Sequence, residues 1–173
     1  KKNACNKLKA YLFNYIMKTI HHFVDGKSFS GNSKRTGKVF NPATGEQSAE
    51  VKLATTKDVD HAVANAKKAF ESWSNKPPLQ RARVMFKFKE LIEKNSEELT
   101  KIIVSEHGKV FEDARGSLTR GLEVVEYACG IPQLLKGEFT ENVGSNVDSW
   151  STRQPLGVCA AVSYTHLTLP TIS

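Results

Sequence analysis

The stretch Leu156-Gly-Val-Cys-Ala-Ala-Val162 is apolar without interruption and decides the class of fold. Apolar residues on both faces are typical of a buried parallel strand. Such a strand needs a crossover, usually a helix, to reach its neighbour, and the tail Ser163-Tyr-Thr-His-Leu-Thr-Leu-Pro170 does not predict one. Together with the helices upstream, the stretch predicts an α/β protein whose last sheet is begun and not finished.

Short strands and turns are predicted before the helices. Asp25-Gly26 separates two short apolar stretches between Ile20 and Phe29, which is a hairpin signal. Val39-Phe40 leads into the turn Asn41-Pro-Ala-Thr-Gly-Glu46, where Asn-Pro and Gly supply the backbone geometry. An alternating segment follows, with apolar Ala49, Val51 and Leu53.

The first two of four predicted helices flank Pro77-Pro78. Thr55 or Thr56 caps the first helix, with Asp58 in its first turn, and Pro78 suits the first turn of the second. Three- and four-residue spacing gives each helix an apolar face, formed by Val59, Ala62, Val63, Ala66, Phe70 and Trp73 in the first and by Leu79, Ala82, Met85, Phe86 and Ile92 in the second.

The third predicted helix begins at Asn95-Ser96 and ends at Gly108, which fits a left-handed cap. The fourth runs from about residue 111 to 128, with Ala114, Leu118, Leu122 and Val125 on its inner side. Gly116 and Gly121 lie within it. Because a glycine inside a helix costs stability, they indicate close packing against a neighbour.

Length and composition indicate a soluble globular protein. The chain has 173 residues, 39% hydrophobic and 25% charged, which is enough for one domain with a core, and no apolar run is long enough to cross a bilayer. Four charges of the net +7 come from lysines within residues 1–16. The remaining charges alternate in sign along helical stretches, as on a solvated face. Since no nucleic-acid-binding motif is present, we expect no nucleic-acid partner.

Residues 1–16 are predicted to be a non-native leader. The segment is basic, with a short apolar part, and it lacks the Arg/Ser-rich character of a transit peptide. Met17 makes an ordinary first residue, and a weak organelle-targeting peptide is the alternative. The three cysteines, Cys5, Cys129 and Cys159, form no disulfide or zinc pattern and fit a reducing compartment. We therefore expect a cytoplasmic location, with the mitochondrial matrix as the alternative.

The residues alone predict no complete catalytic or metal site. Gly116-Ser-Leu-Thr-Arg-Gly121 has the glycine spacing of a phosphate loop, but Leu-Glu follows where Lys-Ser/Thr is required. His21 and His22 would point to opposite faces of a strand, which argues against a metal site. Cys129 is interpreted as a small core residue at a helix end, and Cys159 as an inert thiol buried in mid-strand.

A series of motifs, in order and spacing, resembles the start of an aldehyde dehydrogenase: Phe23-Val-Asp-Gly-Lys27, Val39-Phe-Asn-Pro-Ala-Thr-Gly-Glu46, Ala69-Phe-Glu-Ser-Trp73, Arg81-Ala-Arg83 and Glu106-His-Gly-Lys109. A narrower resemblance, to CoA-acylating methylmalonate-semialdehyde dehydrogenases, rests on Pro78-Leu-Gln-Arg-Ala-Arg-Val-Met-Phe-Lys-Phe-Lys-Glu-Leu91, Ala114-Arg-Gly116, Arg120-Gly-Leu-Glu-Val-Val-Glu-Tyr-Ala-Cys-Gly-Ile-Pro132 and Arg153-Gln-Pro-Leu-Gly-Val158. The match covers about residues 20–162 without a large gap.

The resemblance implies the N-terminal part of the aldehyde dehydrogenase fold, with β-hairpins, about four helices, an oligomerisation-type strand and the first strand of an incomplete Rossmann-like domain. It divides the chain into the leader 1–16, an aldehyde dehydrogenase segment 17–152, the start of a dinucleotide-binding sheet 153–162 and a tail 163–173. In the tail, Ser163-Tyr-Thr-His-Leu-Thr168 stands where the family has Thr-Pro-Phe-Asn-Phe-Pro, whose Asn helps to form the oxyanion hole. We interpret the tail as joined foreign sequence, so His166 indicates no altered chemistry.

The implied parent is an NAD-dependent enzyme of about three such lengths, expected as a homo-oligomer (dimer or tetramer) in valine catabolism. In this family a cysteine thiolate attacks a small semialdehyde and a hydride passes to NAD, which leaves a thioester on the cysteine. The acyl group then passes to coenzyme A and frees the thiolate, with loss of the substrate's carboxylate when the substrate is methylmalonate semialdehyde. That cysteine belongs to the part not present, so we predict no catalytic residue in this chain. No cofactor-binding residue is identifiable from the sequence, and no metal-binding residue is predicted.

Arg120 is the one residue of this sequence to which the resemblance assigns a functional role. The resemblance places the guanidinium of the Arg-Gly-Leu-Glu segment at the substrate carboxylate, a task for which its planar fork is suited. From the residues alone, an ion pair with Glu123 three positions later is the simpler interpretation.

Two other interpretations stay open at this point. One is a fragment of another NAD(P)-dependent aldehyde dehydrogenase, which hydrolyses the thioester. The other is a non-enzymatic helical binding module. The fragment interpretation predicts an exposed apolar surface from Leu156 to Val162 and self-association of the isolated chain.

Overall fold

A computed structural model of the protein describes residues 18–162. The predicted leader 1–16, the start at Met17 and the tail 163–173 lie outside the described residues. The chain divides into two compact units, one ending at Asn65 and the other beginning at Ala66. Helix α1, Thr56–Ser74, begins in the first unit and continues into the second. Within residues 18–162, none of the helices has the length and apolar character that crossing a bilayer requires.

The first unit contains a three-stranded sheet in the order β1-β5-β4. Its strands are β1 (Lys18–Ile20), β4 (Thr36–Phe40) and β5 (Gln47–Lys52). β4 and β5 are antiparallel and are joined by the predicted turn, in which Asn41 N donates to Glu46 O at 2.8 Å. Gly45 has φ +73° there, a conformation that glycine adopts without steric cost. The parallel pairing of β1 with β5 is an addition to what the sequence predicted.

A second hairpin of the first unit confirms the Asp25-Gly26 prediction. β2 (His22–Val24) and β3 (Lys27–Phe29) are antiparallel, with Val24 paired to Lys27 across a two-residue turn. Asp25 and Gly26 have φ values of +56° and +71°. Positive φ at both central residues defines a type I′ turn, whose twist matches that of the flanking strands.

The start of α1 confirms Thr55 as its cap. Thr55 and Asp58 form a reciprocal capping box: Asp58 N donates to Thr55 Oγ1 at 3.2 Å, and Thr55 N donates to Asp58 Oδ2 at 2.8 Å. Asn32 ties the preceding loop to the same buried carboxylate through its amide N at 3.0 Å and its Nδ2 at 2.6 Å. The hydrogen bonds from Thr55, followed by those from Asn32, lower the pKa of Asp58 to about 2.

Up to residue 162, the second unit contains four further helices: α2 (Pro78–Lys94), α3 (Ser96–His107), α4 (Phe111–Cys129) and the single turn α5 (Ile131–Leu134). Gly108 ends α3 at φ +77° and donates its N–H to Val104 O at 2.8 Å, which confirms the left-handed cap. α4 packs against α2 and α3. The buried positions at these contacts are small, Ala82, Thr100 and Ala114, so the helix backbones approach closely.

The apolar faces of the helices are less buried than their spacing predicts. Leu79 and Phe86 on α2 remain 58% and 53% exposed. Lys89 is half-buried and bridges α2 to α4 through Glu126 at 3.3 Å. Spacing specifies which residues share a face, but burial requires a partner surface, and residues 18–162 cover these faces only in part.

The segment after α5 contains two strands, where the resemblance implies one oligomerisation-type strand. It folds into an antiparallel hairpin of β6 (Phe139–Gly144) and β7 (Val147–Trp150), with every residue of both strands exposed. Asn146 has φ +60° in the two-residue turn, a conformation that asparagine tolerates better than most residues. Ser145-Asn146 is therefore a turn signal that the sequence prediction missed.

No strand forms over residues 156–162, in contrast to the buried strand predicted there. Leu156 and Val162 are 96% and 79% exposed. A strand of this composition requires neighbouring strands and covering helices, and residues 18–162 provide none for it. The exposed apolar surface expected for a fragment is confirmed. The assignment of 153–162 to a dinucleotide-binding sheet stays a prediction.

Candidate anion-binding site

Helix α4 presents Arg120 on its outer surface. Ala114 on the inner face is fully buried, and Leu118, Leu122 and Val125 are half-buried, as the spacing predicts. Arg120 lies on the opposite side and is exposed. The side chain is therefore anchored by α4, a helix held by packing against α2 and α3, while its guanidinium stays accessible.

Ser117 is the centre of a small hydrogen-bonded cluster that includes Arg120. Its Oγ accepts from Arg120 Nη2 at 3.1 Å and from Lys109 Nζ at 2.7 Å, and donates to the carbonyl of Asp113 at 3.2 Å. A serine hydroxyl has one proton and two lone pairs. All three are used, so the orientation of the hydroxyl is determined by its partners.

The positive charge of Lys109 in this cluster is compensated. Its Nζ lies 2.9 Å from Asp113 Oδ2, and the lysine side chain is only 18% exposed. The hydrogen bond and the charge of Lys109 lower the pKa of Asp113, and the charge of Arg120 adds to this effect. Asp113 therefore remains a carboxylate and is occupied by Lys109.

The guanidinium of Arg120 has no carboxylate partner among residues 18–162. The ion pair with Glu123 that i,i+3 spacing predicts does not form. Arg115, one turn earlier on the same helix, is engaged by Glu112 at 3.5 Å and lies 5.3 Å from the centre of the Phe111 ring. The two arginines thus differ in what they can still bind: Arg120 retains the charge and the N–H groups that an anion requires.

Two glycines leave open space beside Arg120. A Cβ at Gly116 would lie 3.5 Å from Arg120 Nη1, and a Cβ at Gly121 would meet nothing within 4 Å. The close packing that these glycines predicted is therefore absent among the described residues. Instead, Gly116 leaves room for the guanidinium of Arg120 itself.

A cleft of about 470 Å³ opens among α2, α3 and α4 but does not include Arg120. It is lined largely by helix faces, with Thr100 and Leu118 in its wall and Glu97 at its edge. Glu97 is already paired with Lys101 at 2.6 Å. Binding sites require convergent polar groups with capacity to spare, so this cleft is the weaker candidate.

The other residues that the sequence analysis tested as possible sites have structural roles or do not come together in a site within residues 18–162. Cys129 is buried at the end of α4, which confirms it as a core residue. Cys159 is exposed, so its predicted burial in mid-strand is wrong, because the strand that would bury it does not form. His21 is exposed and His22 half-buried, and no group of three potential ligands suited to a metal occurs within residues 18–162. Gly116 to Gly121 lie inside α4, where a phosphate loop cannot form.

Sequence reasoning missed Lys109, Asp113 and Ser117 as neighbours of Arg120. Their spacing of four, four and three residues was a usable signal, since residues so spaced share one face of a helix. Lys109 lies before the first residue of α4, however, so the pattern was divided between a loop and a helix.

Comparison with known proteins identifies the family. The model described as "Aldehyde dehydrogenase family" matches residues 29–163. The chain belongs to the aldehyde dehydrogenase family. Within that family, the malonate-semialdehyde dehydrogenase of Pseudomonas aeruginosa is 48% identical over 147 residues, which are 85% of this chain and 29% of that protein.

Two further aldehyde dehydrogenases show similar agreement. The mitochondrial, acylating methylmalonate-semialdehyde dehydrogenase of Arabidopsis thaliana is 44% identical over 143 residues, covering 83% of this chain and 24% of that protein. A solved structure of a proposed methylmalonate-semialdehyde dehydrogenase from Sinorhizobium meliloti, complexed with NAD, has a TM-score of 0.79 and 46% identity, covering 83% of this chain and 29% of that one. The chain thus spans less than a third of the length of these relatives, and its α/β fold is the corresponding part of theirs.

Proposed function

We propose that this chain is the N-terminal part of an NAD-dependent, CoA-acylating methylmalonate- or malonate-semialdehyde dehydrogenase, in which Arg120 binds the substrate carboxylate. The observation that carries the proposal is the guanidinium of Arg120, exposed and without a carboxylate partner in residues 18–162. It occurs in a chain that is 48% identical to a malonate-semialdehyde dehydrogenase. A planar guanidinium can hold both carboxylate oxygens at once.

Arg120 contributes to the reaction by orienting the substrate. In malonate semialdehyde a single methylene separates the carboxylate carbon from the aldehyde carbon. Holding the carboxylate therefore confines the aldehyde carbon, which is only two bonds from the carboxylate carbon, to a small region. Such fixed positioning lowers the barrier by removing orientational freedom before the chemical step.

NAD and coenzyme A are proposed for the whole enzyme, with support from the NAD complex of the Sinorhizobium relative and the acylating Arabidopsis relative. When bound, NAD would supply the acceptor for a hydride, and removal of that hydride is what oxidises the aldehyde carbon. Residues 18–162 do not fit a nucleotide site of the usual kind, since the glycines with phosphate-loop spacing lie inside α4 and no glycine-rich turn leads from a strand into a helix. We assign no cofactor contact to them.

The assembly and the location of the parent are also part of the proposal. A homo-oligomer, dimer or tetramer, is supported by the β6–β7 hairpin, whose residues are all exposed, because exposed strand edges readily pair with another chain. We propose a cytoplasmic enzyme, with the mitochondrial matrix as the alternative that the mitochondrial Arabidopsis relative supports.

The test compares Arg120→Ala with wild type in the full-length enzyme, using malonate semialdehyde and uncharged propanal. Loss of hydrogen bonds to a charged group costs about 1.5–3 kcal/mol, so the ratio of kcat/KM for malonate semialdehyde to that for propanal should fall about 10- to 100-fold. Arg115→Ala is the matched control, because Arg115 is already paired, and it should keep the wild-type ratio.

An unchanged ratio in Arg120→Ala would show that Arg120 does not bind the carboxylate. Running the wild-type reaction with and without coenzyme A separates the two enzyme types. An acyl-CoA product supports the proposal, whereas a free acid formed equally well without coenzyme A favours a hydrolytic aldehyde dehydrogenase.

A further inference from the structure

We infer that Ser117 is a positioning residue for Arg120, and that Lys109 keeps Arg120 available by occupying Asp113. The inference rests on the proposed function and deepens it, since it assigns specificity to residues beyond the arginine itself. It starts from the Ser117 hydroxyl, which accepts hydrogen bonds from both Lys109 and Arg120.

An exposed arginine needs a constraint in order to bind an anion in one geometry. Its long side chain adopts many rotamers in water. The hydrogen bond from Nη2 to Ser117 Oγ at 3.1 Å holds the guanidinium one turn back along α4. This bond uses one of the five N–H donors of the guanidinium, so most of the fork remains for a carboxylate.

Ser117 can serve this role because its hydroxyl proton is committed elsewhere. The proton is donated to the carbonyl of Asp113 at 3.2 Å, which leaves both lone pairs for the two cations. In this arrangement the hydroxyl acts on Arg120 only as an acceptor. An alanine at position 117 has no side-chain oxygen to accept a hydrogen bond from the guanidinium, whereas a threonine keeps the hydroxyl oxygen.

Asp113 is the nearby anion that competes for Arg120. The charge of Arg120 contributes to lowering the pKa of the Asp113 carboxyl, so the two charges interact. Lys109 holds that carboxylate at 2.9 Å and is itself the more enclosed of the two partners. Without Lys109, Asp113 is left as an unpaired carboxylate one turn from Ser117, where it attracts Arg120 away from substrate.

The first experiment measures steady-state kinetics of Ser117→Ala, Ser117→Thr and Thr119→Val in the full-length enzyme with malonate semialdehyde and propanal. Thr119→Val is the matched control, because Thr119 Oγ1 bonds the carbonyl of Arg115 at 3.1 Å but holds no cation. In Ser117→Ala the KM for malonate semialdehyde should rise about three- to tenfold relative to that for propanal, as expected from losing one charge-assisted hydrogen bond at an exposed site. kcat should change less, and Ser117→Thr should restore most of the KM.

The results separate this inference from the proposed function. If Arg120→Ala loses the preference for malonate semialdehyde while Ser117→Ala keeps the wild-type KM, the positioning role is wrong and the function of Arg120 stands. If Arg120→Ala keeps the preference, both are wrong. Equal KM effects in Ser117→Ala and Thr119→Val would assign the change to helix structure and overturn the inference.

The second experiment tests Lys109 through Lys109→Met and Lys109→Met/Asp113→Asn. The single variant should raise the KM for malonate semialdehyde by about tenfold, since a competing charge is left unpaired beside the guanidinium, and the double variant should return it close to wild type. Such a rescue by removing a second residue is a coupling that independent effects do not give. A double variant as impaired as the single one contradicts the competition with Asp113.

Discussion

Replacing Gly121 by alanine should stabilise this chain. Gly121 lies within α4 at a helical φ, and a Cβ there would meet nothing within 4 Å. The substitution therefore removes the backbone entropy cost of glycine without introducing a clash. In a helix interior the gain is about 0.8–1.0 kcal/mol, which corresponds to a rise in Tm of about 2–4 °C for a chain of this size.

The assay is thermal and urea unfolding of the 173-residue chain, followed by circular dichroism at low protein concentration. The urea midpoint should rise while the slope of the transition stays the same, because the surface exposed on unfolding is unchanged. Gly108→Ala is the matched control. Its φ of +77° is unfavourable for alanine, so this variant should lose about 1 kcal/mol.

The opposite sign for Gly121→Ala would refute the reasoning. A lower midpoint at unchanged slope means that a Cβ at this position meets another surface. The close packing predicted from the two glycines would then be correct, and the open space beside Arg120 would not exist. The result therefore bears on the candidate site as well as on stability.

The remaining predictions concern the buried carboxylate and the exposed apolar segment. Because the pKa of Asp58 falls from 3.8 to about 2 on folding, its contribution to stability is present above about pH 4 and is lost as the pH falls towards 2. Asp58→Asn should therefore be less stable than wild type at pH 7 and approach it between pH 4 and 2, and a constant gap in acid titrations of the unfolding midpoint contradicts this. Leu156→Lys, at a side chain 96% exposed, should reduce self-association in sedimentation velocity with a stability change below about 0.5 kcal/mol; undiminished association would place the contact elsewhere.

The parts of the fold that could be predicted from sequence depend on a few neighbouring residues. The Asp25-Gly26 turn, the Thr55–Asp58 capping box and the left-handed Gly108 all follow from backbone preferences and short-range hydrogen bonds. Helix bounds followed for the same reason, since proline, glycine and capping residues mark them. The pairing of β1 with β5 joins residues about 30 positions apart, and no local preference specifies such a pairing.

The sequence also predicted which part of the candidate site would carry function, but only through resemblance. Arg120 alone looked like half of an ion pair with Glu123. Its capacity to bind an anion depends on which charges are already paired. Spacing proposes several pairs on α4, including one of Arg120 with Glu123, and only the side-chain positions show which of them form. Lys109 with Asp113, and Arg115 with Glu112, are paired, whereas Arg120 is held by a neutral hydroxyl.

By itself, the sequence determined the helices, the turns at Asp25-Gly26 and residues 41–46, and the family, because local backbone energetics and ordered motifs are properties of the chain in one dimension. The role of Arg120 stays a prediction from the resemblance. The tertiary structure decided which apolar faces are covered, whether Leu156 to Val162 forms a strand, and which cation of α4 remains unpaired. Burial requires a second surface, and the choice among closely spaced charges requires the actual side-chain positions. For the apolar segment the second surface is absent from residues 18–162, and the position of Lys109 Nζ 2.9 Å from Asp113 Oδ2 leaves Arg120 without a carboxylate partner among those residues.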